Sequence, residues 1–301
     1  MSVPLTYFWP MHVYDRRVQE SVLRQFAEAG ADGLNLDPQE MQAMMGDPGE
    51  VLRWRRMLAN AGVSFRDAHA PYGPLNDLSC PDPAAFPAMV AMHRRCLEVC
   101  AEFGVGSCTI HVGRPTDLCR DVATVHENAL RALELILPEA ERCRVVVCIE
   151  NIWDANNTAG MLLDAIERFR SPGLGICWDS GHAQLSRSDT PDIPEQGCRA
   201  AWRTGGFPDG PAEWSDTGKY LERLLPHIVT CHLHSNDRVL DRHWEPTDPR
   251  GRTDWAAEMP LLLSAPRLMQ LQNEALVGPD NPATVREHVE SLRGLVERYA
   301  P

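Results

Sequence analysis

The sequence predicts an α/β fold, a single (β/α)8 TIM barrel over residues 1–301, on three observations. Short apolar runs recur along the chain and are separated by longer stretches of helical period. The middle runs carry almost no polar alternation, as expected of a parallel sheet whose outside is covered by helices. No GxGxxG follows the first run and no P-loop is present, so an open doubly wound sheet lacks its signatures.

The first strand is expected at residues 5–9, followed by a helix with Val18, Val22, Phe26 and Ala29 along one side that stops at Gly30. A second strand at 33–36 precedes a helix over 51–61 that stops at Gly62. The third strand, 63–69, leads through a Pro/Gly/Asn loop into a helix over about 83–103. The fourth, 107–111, precedes a helix bearing Val122, Val125, Ala129 and Leu133. The fifth, 145–151, is rich in strand-forming residues and ends in polar groups. A helix at roughly 159–169, strands at 174–179, 228–236 and 268–274, and a final helix over about 283–299 complete the series. Two irregular stretches, 185–217 and the polar 237–253, follow strands at the same end and are expected to wall a substrate pocket.

Composition removes several function classes. The chain has 42 acidic against 29 basic residues, a formal charge of -13, which argues against a protein that coats nucleic-acid phosphate. Lys219 is the only lysine and lies among polar and turn residues, so a buried Schiff-base lysine has no good candidate. The cysteines are scattered without a CxxC pair, and Cys108, Cys148, Cys177 and Cys231 fall in apolar runs. A reducing, cytoplasmic setting is therefore expected, with neither a secretory signal nor a membrane span.

Chemistry concentrates at the expected C-terminal strand ends. They supply His69, His111, Glu150, Asp179 with His182, His232 with His234, and Glu274, and the loop after the seventh strand adds Asp237, Asp241 and His243. Any one of these could be a packed histidine or a helix-capping carboxylate. Jointly they would be costly to bury without compensation, which a divalent cation supplies at one point. Glu150 and Glu274 are expected to face each other across the mouth with Asp179 between them. His182, three residues on, returns over the same mouth. His232 and His234 share a strand face, and His234 is the better ligand, with His232 left as support or packing. Such a donor set suits Mn²⁺ or Zn²⁺ first, with Co²⁺ or Mg²⁺ also compatible, and disfavours Ca²⁺.

The stretches DAHAPYG, TIHVG, CIENIWDANNTAG, WDSGHA, CHLHSND, DRHWEP, GRTDW and QNEA, in this order, resemble the xylose-isomerase-like barrel superfamily of sugar phosphate isomerases and epimerases, which also includes the endonuclease IV type of apurinic endonuclease. The resemblance implies metal ligation by Glu150, Asp179, His234 and Glu274, substrate binding by His182, and proton exchange by Glu150 and Glu274 through an enediolate on a sugar, polyol or sugar phosphate. The chain departs from the keto-sugar epimerase pattern where Asn156 replaces a second Glu and Leu240 replaces an Arg, with Arg238 and Arg242 close by. Isomerase, epimerase, dehydratase and lyase chemistry therefore stay open. The nuclease branch implies a rival, a zinc-dependent phosphodiesterase whose nine ligands would be His69, His111, Glu150, Asp179, His182, His234, Asp241, His243 and Glu274. One ion is expected and up to three could be held. A noncatalytic metal- or carbohydrate-binding barrel is the third reading, with Trp178, Trp244 and Trp255 as sugar-stacking candidates. A small molecule is the expected partner rather than nucleic acid or a membrane, and self-association is left open.

Overall fold

The computed structural model describes residues 3–153, 157–185 and 217–300. Asn156 and nearly all of the 185–217 stretch lie outside these residues. The strands β1 (Leu5–Tyr7), β2 (Gly33–Leu36), β3 (Phe65–His69), β4 (Ser107–Ile110), β5 (Val146–Glu150), β6 (Leu174–Asp179), β7 (Ile228–Leu233) and β8 (Gln270–Asn273) pair in sequence order as a closed barrel. Every pairing is parallel, and β1 meets β8 through Leu5 with Leu271 and Tyr7 with Asn273, so no edge remains exposed.

Helices α1 (Arg16–Glu28), α2 (Pro38–Gly46), α3 (Pro48–Ala61), α4 (Phe86–Phe103), α5 (Val122–Cys143), α6 (Ala159–Phe169), α7 (Ser180–Leu185), α8 (Thr217–Leu224), α9 (Trp255–Leu263) and α10 (Val285–Tyr299) accompany the strands. Local chemistry sets their limits. The Asp37 carboxylate accepts from the Gln39 and Glu40 amides at the start of α2, with Pro38 in its first turn. Gly62, at φ 75°, ends α3 in the left-handed conformation that a side chain disfavours. Thr284 and Glu287 form a reciprocal capping box at the start of α10.

Two sequence expectations change here. The expected helix over 51–61 is the second of a pair, because Asp47 caps Pro48–Ala61 directly after α2 ends. The strands also alternate more than their apolar look suggests. Side chains on one face, including Leu5, Leu34, Ile149, Ile176 and Leu271, are buried among the surrounding helices. The other face is largely polar and partly paired across the lumen: Thr6 Oγ1 donates to Asp67 Oδ2 at 2.9 Å, Asn35 Nδ2 donates to Gln272 Oε1 at 2.7 Å, and Gln270 Nε2 donates to Ser107 Oγ, whereas Asn35 Oδ1, Asp67 Oδ1, Thr230 Oγ1 and Gln272 Nε2 have no hydrogen-bond partner among the described residues. The pairs that cross the lumen offset part of the cost of burying these groups, and the polar interior continues upward into the ionisable residues of the mouth. Among the described residues, no helix is long and apolar enough to cross a membrane.

Candidate metal centre

Six of the eight strands, β3 to β8, place an ionisable residue of the site at or just beyond their C-terminal ends. His69, Glu150 and Asp179 terminate β3, β5 and β6, while His111, His234 and Glu274 follow β4, β7 and β8 by one residue. His232 lies one step deeper on β7 and is fully buried, as are Asp179 and His234; Glu150, His69, His182 and Glu274 are at most 7% exposed. The first turn of α7 carries His182 back over the mouth, where its backbone N–H donates to Asp179 Oδ1 at 2.6 Å.

These side chains form overlapping clusters. One ligand atom each from His69, Glu150, His232 and Glu274 lies within 4.8 Å of the others, and the same holds for Glu150, Asp179 and His182, for Asp179, His234 and Glu274, and for His182, His234, Asp241 and His243. His234 Nε2 is 3.1 Å from Asp179 Oδ2, His111 Nε2 is 2.9 Å from Glu150 Oε2, and His182 Nε2 is 3.5 Å from Asp241 Oδ2. The structure thus brings together all nine of the residues expected as ligands. Asp237 is not among them: its carboxylate accepts from the Val239 and Leu240 amides and from Arg242 Nε at 2.9 Å, so it shapes the loop instead.

The donor set fits a divalent ion. Glu150 Oε2, Glu274 Oε2, Asp241 Oδ1 and His234 Nδ1 are buried with no hydrogen-bond partner among the described residues. The 2.9 Å approach of His111 to Glu150 Oε2 is consequently a charge contact without hydrogen-bond alignment. Two atoms bound at about 2.1 Å to one ion sit roughly 3.0–3.4 Å apart, close to the spacings found here. The rings are held from behind: His69 Nδ1 faces the Ala70 carbonyl at 2.8 Å and His243 Nδ1 the Glu274 carbonyl at 3.0 Å, which leaves each Nε2 for the mouth.

Electrostatics agree with that fit. Burial opposes the charge of His182, but Asp179 and Asp241 raise it to about 10. Burial opposes His243 likewise, and Asp241 raises it to about 9. Burial pushes Glu274 up, yet His232 and His243 outweigh it and hold the carboxyl at about 2. Against the same push, His232, His111 and His69 hold Glu150 well below the carboxylate range. Protons on imidazoles balance the carboxylates, and a cation held at the site would displace them.

Above the cluster opens a cavity of about 370 Å³ whose floor includes His69, His111, Glu150, His182, Asp241, His243 and Glu274. Its walls are Phe8, Pro10, His12, Pro38, Gln39, Tyr72, Ile152, Trp153 and Leu276. None of the tryptophans expected to stack on a sugar lines it. Trp178 is fully buried and donates to Glu258, Trp255 Nε1 donates to the Pro246 carbonyl at 2.7 Å, and Trp244 packs under Arg250. Trp153 takes that place, 4.8 Å from His182 in an edge arrangement, and Tyr72 stacks on His111 at 4.7 Å. Both stand within or just after motifs already noted, and no local signal distinguishes them from loop residues. Arg238 and Arg242 do not line the cavity: Arg238 Nε donates to Gln184 Oε1, and Arg242 pairs with Asp237.

One glycine is required by the cluster. A Cβ on Gly181 would lie 1.9 Å from His234 Cε1. Gly181→Ala is therefore expected to displace the His234 ring, with a cost of about 1–3 kcal/mol in stability and at least about tenfold in metal affinity. Thermal melting and metal titration of the variant check both, and an unchanged affinity removes His234 from the ligand set.

Residues 23–293 match the family model described as the xylose isomerase-like TIM barrel. The uncharacterized protein y4fM of Sinorhizobium fredii is 24% identical over 276 residues, covering 83% of this chain and 79% of that protein. Among solved structures, the apo form of 3-keto-D-glucoside 4-epimerase, YcjR, from E. coli superposes with a TM-score of 0.70 at 15% identity, over 98% of this chain and 99% of that one. The TTHB071 protein from Thermus thermophilus, soaked with ZnCl2, does so with a TM-score of 0.66 at 22% identity, over 100% and 98%. At these identities the structural likeness is one of fold, and the family match decides membership. The chain belongs to the xylose isomerase-like TIM barrel family.

Proposed function

We propose that the protein is a divalent-metal-dependent isomerase or epimerase acting on a sugar or polyol through an enediolate. One observation carries the reading: Glu150 and Glu274 converge beneath the cavity, each with one oxygen on His232 Nδ1, at 2.8 and 3.1 Å, and the other without a hydrogen-bond partner among the described residues. Glu150, Asp179, His234 and Glu274 would hold the ion, with Mn²⁺ or Zn²⁺ favoured by the mixed imidazole and carboxylate donors. When bound, the ion supplies Lewis acidity at a carbonyl and neutralises developing negative charge.

The chain's own residues would do the rest. One glutamate removes the proton from the carbon beside the carbonyl, and the other returns one from the opposite side. His182, held over the floor by its contacts with Asp179 and Asp241, is positioned to bind a substrate hydroxyl. Phe8, Ile152, Trp153 and Leu276 would cover the C–H face of the substrate and keep water from the reacting carbon. The epimerase neighbour from E. coli supports the sugar-epimerase class. Metal-loaded protein incubated in D2O with a panel of ketoses and polyols is expected to place deuterium on a carbon next to a carbonyl, and to stop doing so after chelation. Lack of exchange with every member of the panel would sink this reading.

A second reading, phosphodiester hydrolysis over as many as three ions, is favoured by the additional donors His69 and His111 beside Glu150, and Asp241 and His243 beside His182. Anomalous scattering from metal-loaded crystals separates the two. One ion among Glu150, Asp179, His234 and Glu274 favours proton transfer, whereas three ions with metal-dependent nicking of abasic duplex DNA favour hydrolysis.

A further inference from the structure

We propose that His232 is a positioning residue that sets the orientation of both glutamates, so that each presents one free oxygen to the mouth. His232 is fully buried and no wall of the cavity includes it, so it is placed to act through other side chains. Its Nδ1 lies 2.8 Å from Glu150 Oε1 and 3.1 Å from Glu274 Oε1. Its other nitrogen, Nε2, lies 3.3 Å from Thr109 Oγ1 on the inner face of β4. Nδ1 faces two carboxylate oxygens and so carries a proton that they share, while Thr109 Oγ1 holds the Nε2 end of the ring.

The consequence falls on the remaining oxygens. Glu150 Oε2 and Glu274 Oε2 are buried and without hydrogen-bond partners among the described residues, and they face His111 Nε2 at 2.9 Å and His243 Nδ1 at 3.7 Å. A carboxylate held at one oxygen rotates less freely, so the other oxygen keeps a preferred direction. Two negative groups held this close would otherwise turn apart, and a single N–H between them opposes that. The ring is braced further by stacking on His69, with centroids 5.7 Å apart. A residue that merely filled space would need neither the Nδ1 proton nor the threonine.

This inference rests on the metal-centre reading, and metal titration of the full-length, chelated protein tests the two separately. Asn at position 232 sets its amide nitrogen where Nδ1 was, and Gln sets its own where Nε2 was. Mn²⁺ or Zn²⁺ affinity is therefore expected to stay within about threefold of the parent for His232→Asn and to fall roughly 10–100-fold for His232→Gln. Equal affinities for the two variants, whether retained or lost, overturn the positioning role. A parent chain that takes up neither ion overturns the metal centre itself, and this inference with it. Where substitution at 232 prevents folding, Thr109→Val keeps the ring and its Nδ1 donor but frees the other end. It is expected to weaken binding about three- to tenfold, and parental affinity for that variant overturns the proposal.

Discussion

A chain carrying both Glu150→Gln and Glu274→Gln is expected to lose stoichiometric retention of a divalent ion and all metal-dependent proton exchange while keeping its barrel. Each glutamine keeps the volume of the glutamate it replaces, and the interstrand pairing of β5 and β8 does not depend on the charge. What disappears is the negative charge at the two points where the clusters overlap, since Glu150 and Glu274 each belong to two of the groups able to hold an ion. Partners outside the coordination sphere already cost 10–100-fold in metal affinity when altered, so loss of two charged ligands should exceed about 100-fold. Removal of a general base and a general acid would each cost a further 10²–10⁴-fold in rate. Metal content after gel filtration, with circular dichroism as the folding control, is the decisive measurement. A folded double variant that retains one ion per chain refutes the ligand assignment.

Chelated protein is expected to lose stability as pH rises from about 6.5 toward 10, and metal-loaded protein is not. His182 and His243 stand at about 10 and about 9 in the folded chain, above the ordinary value of 6.5. A histidine raised in this way stabilises the fold fully below its unfolded value and loses that contribution as pH climbs through its folded one. The window is therefore 6.5 to 10, and the effect is on the order of a few kcal/mol, seen as a fall of roughly 5–10 °C in Tm. In loaded protein the ion replaces those protons, so the term is absent, and metal affinity instead weakens toward acid as the imidazoles are reprotonated. Melting curves with and without chelator at several pH values should diverge toward alkaline conditions. Parallel curves would remove the pairing of His182 and His243 with Asp241 as the source.

The barrel was largely legible in the sequence because its signals are local. Runs such as 174–179 and the helix at 159–169 have the limits that hydrophobic period and capping imply. Misread limits came from competing local chemistry. Asp47 followed by Pro48 divides one apparent helical region into two, and Trp255–Leu263 is a short helix in a region with little amphipathic pattern. The ligand-type residues were equally legible, since His, Asp and Glu at the ends of apolar runs are conspicuous. Which of them do something other than line the mouth was not. Asp237 looks like its neighbour Asp241 in sequence, yet one caps a turn and the other faces His182 and His243.

The sequence by itself determined that strands and helices alternate and that six of the strands deliver polar groups at the same end, because periodicity and composition are properties of short segments. Only the tertiary structure decided how those groups meet. Closure of the barrel brings together side chains 82 and 123 residues apart in sequence, where His232 joins Glu150 to Thr109. The two-residue spacing ranked His234 above His232, but which side chains from other strands His232 meets depends on the stagger of neighbouring strands, a long-range quantity.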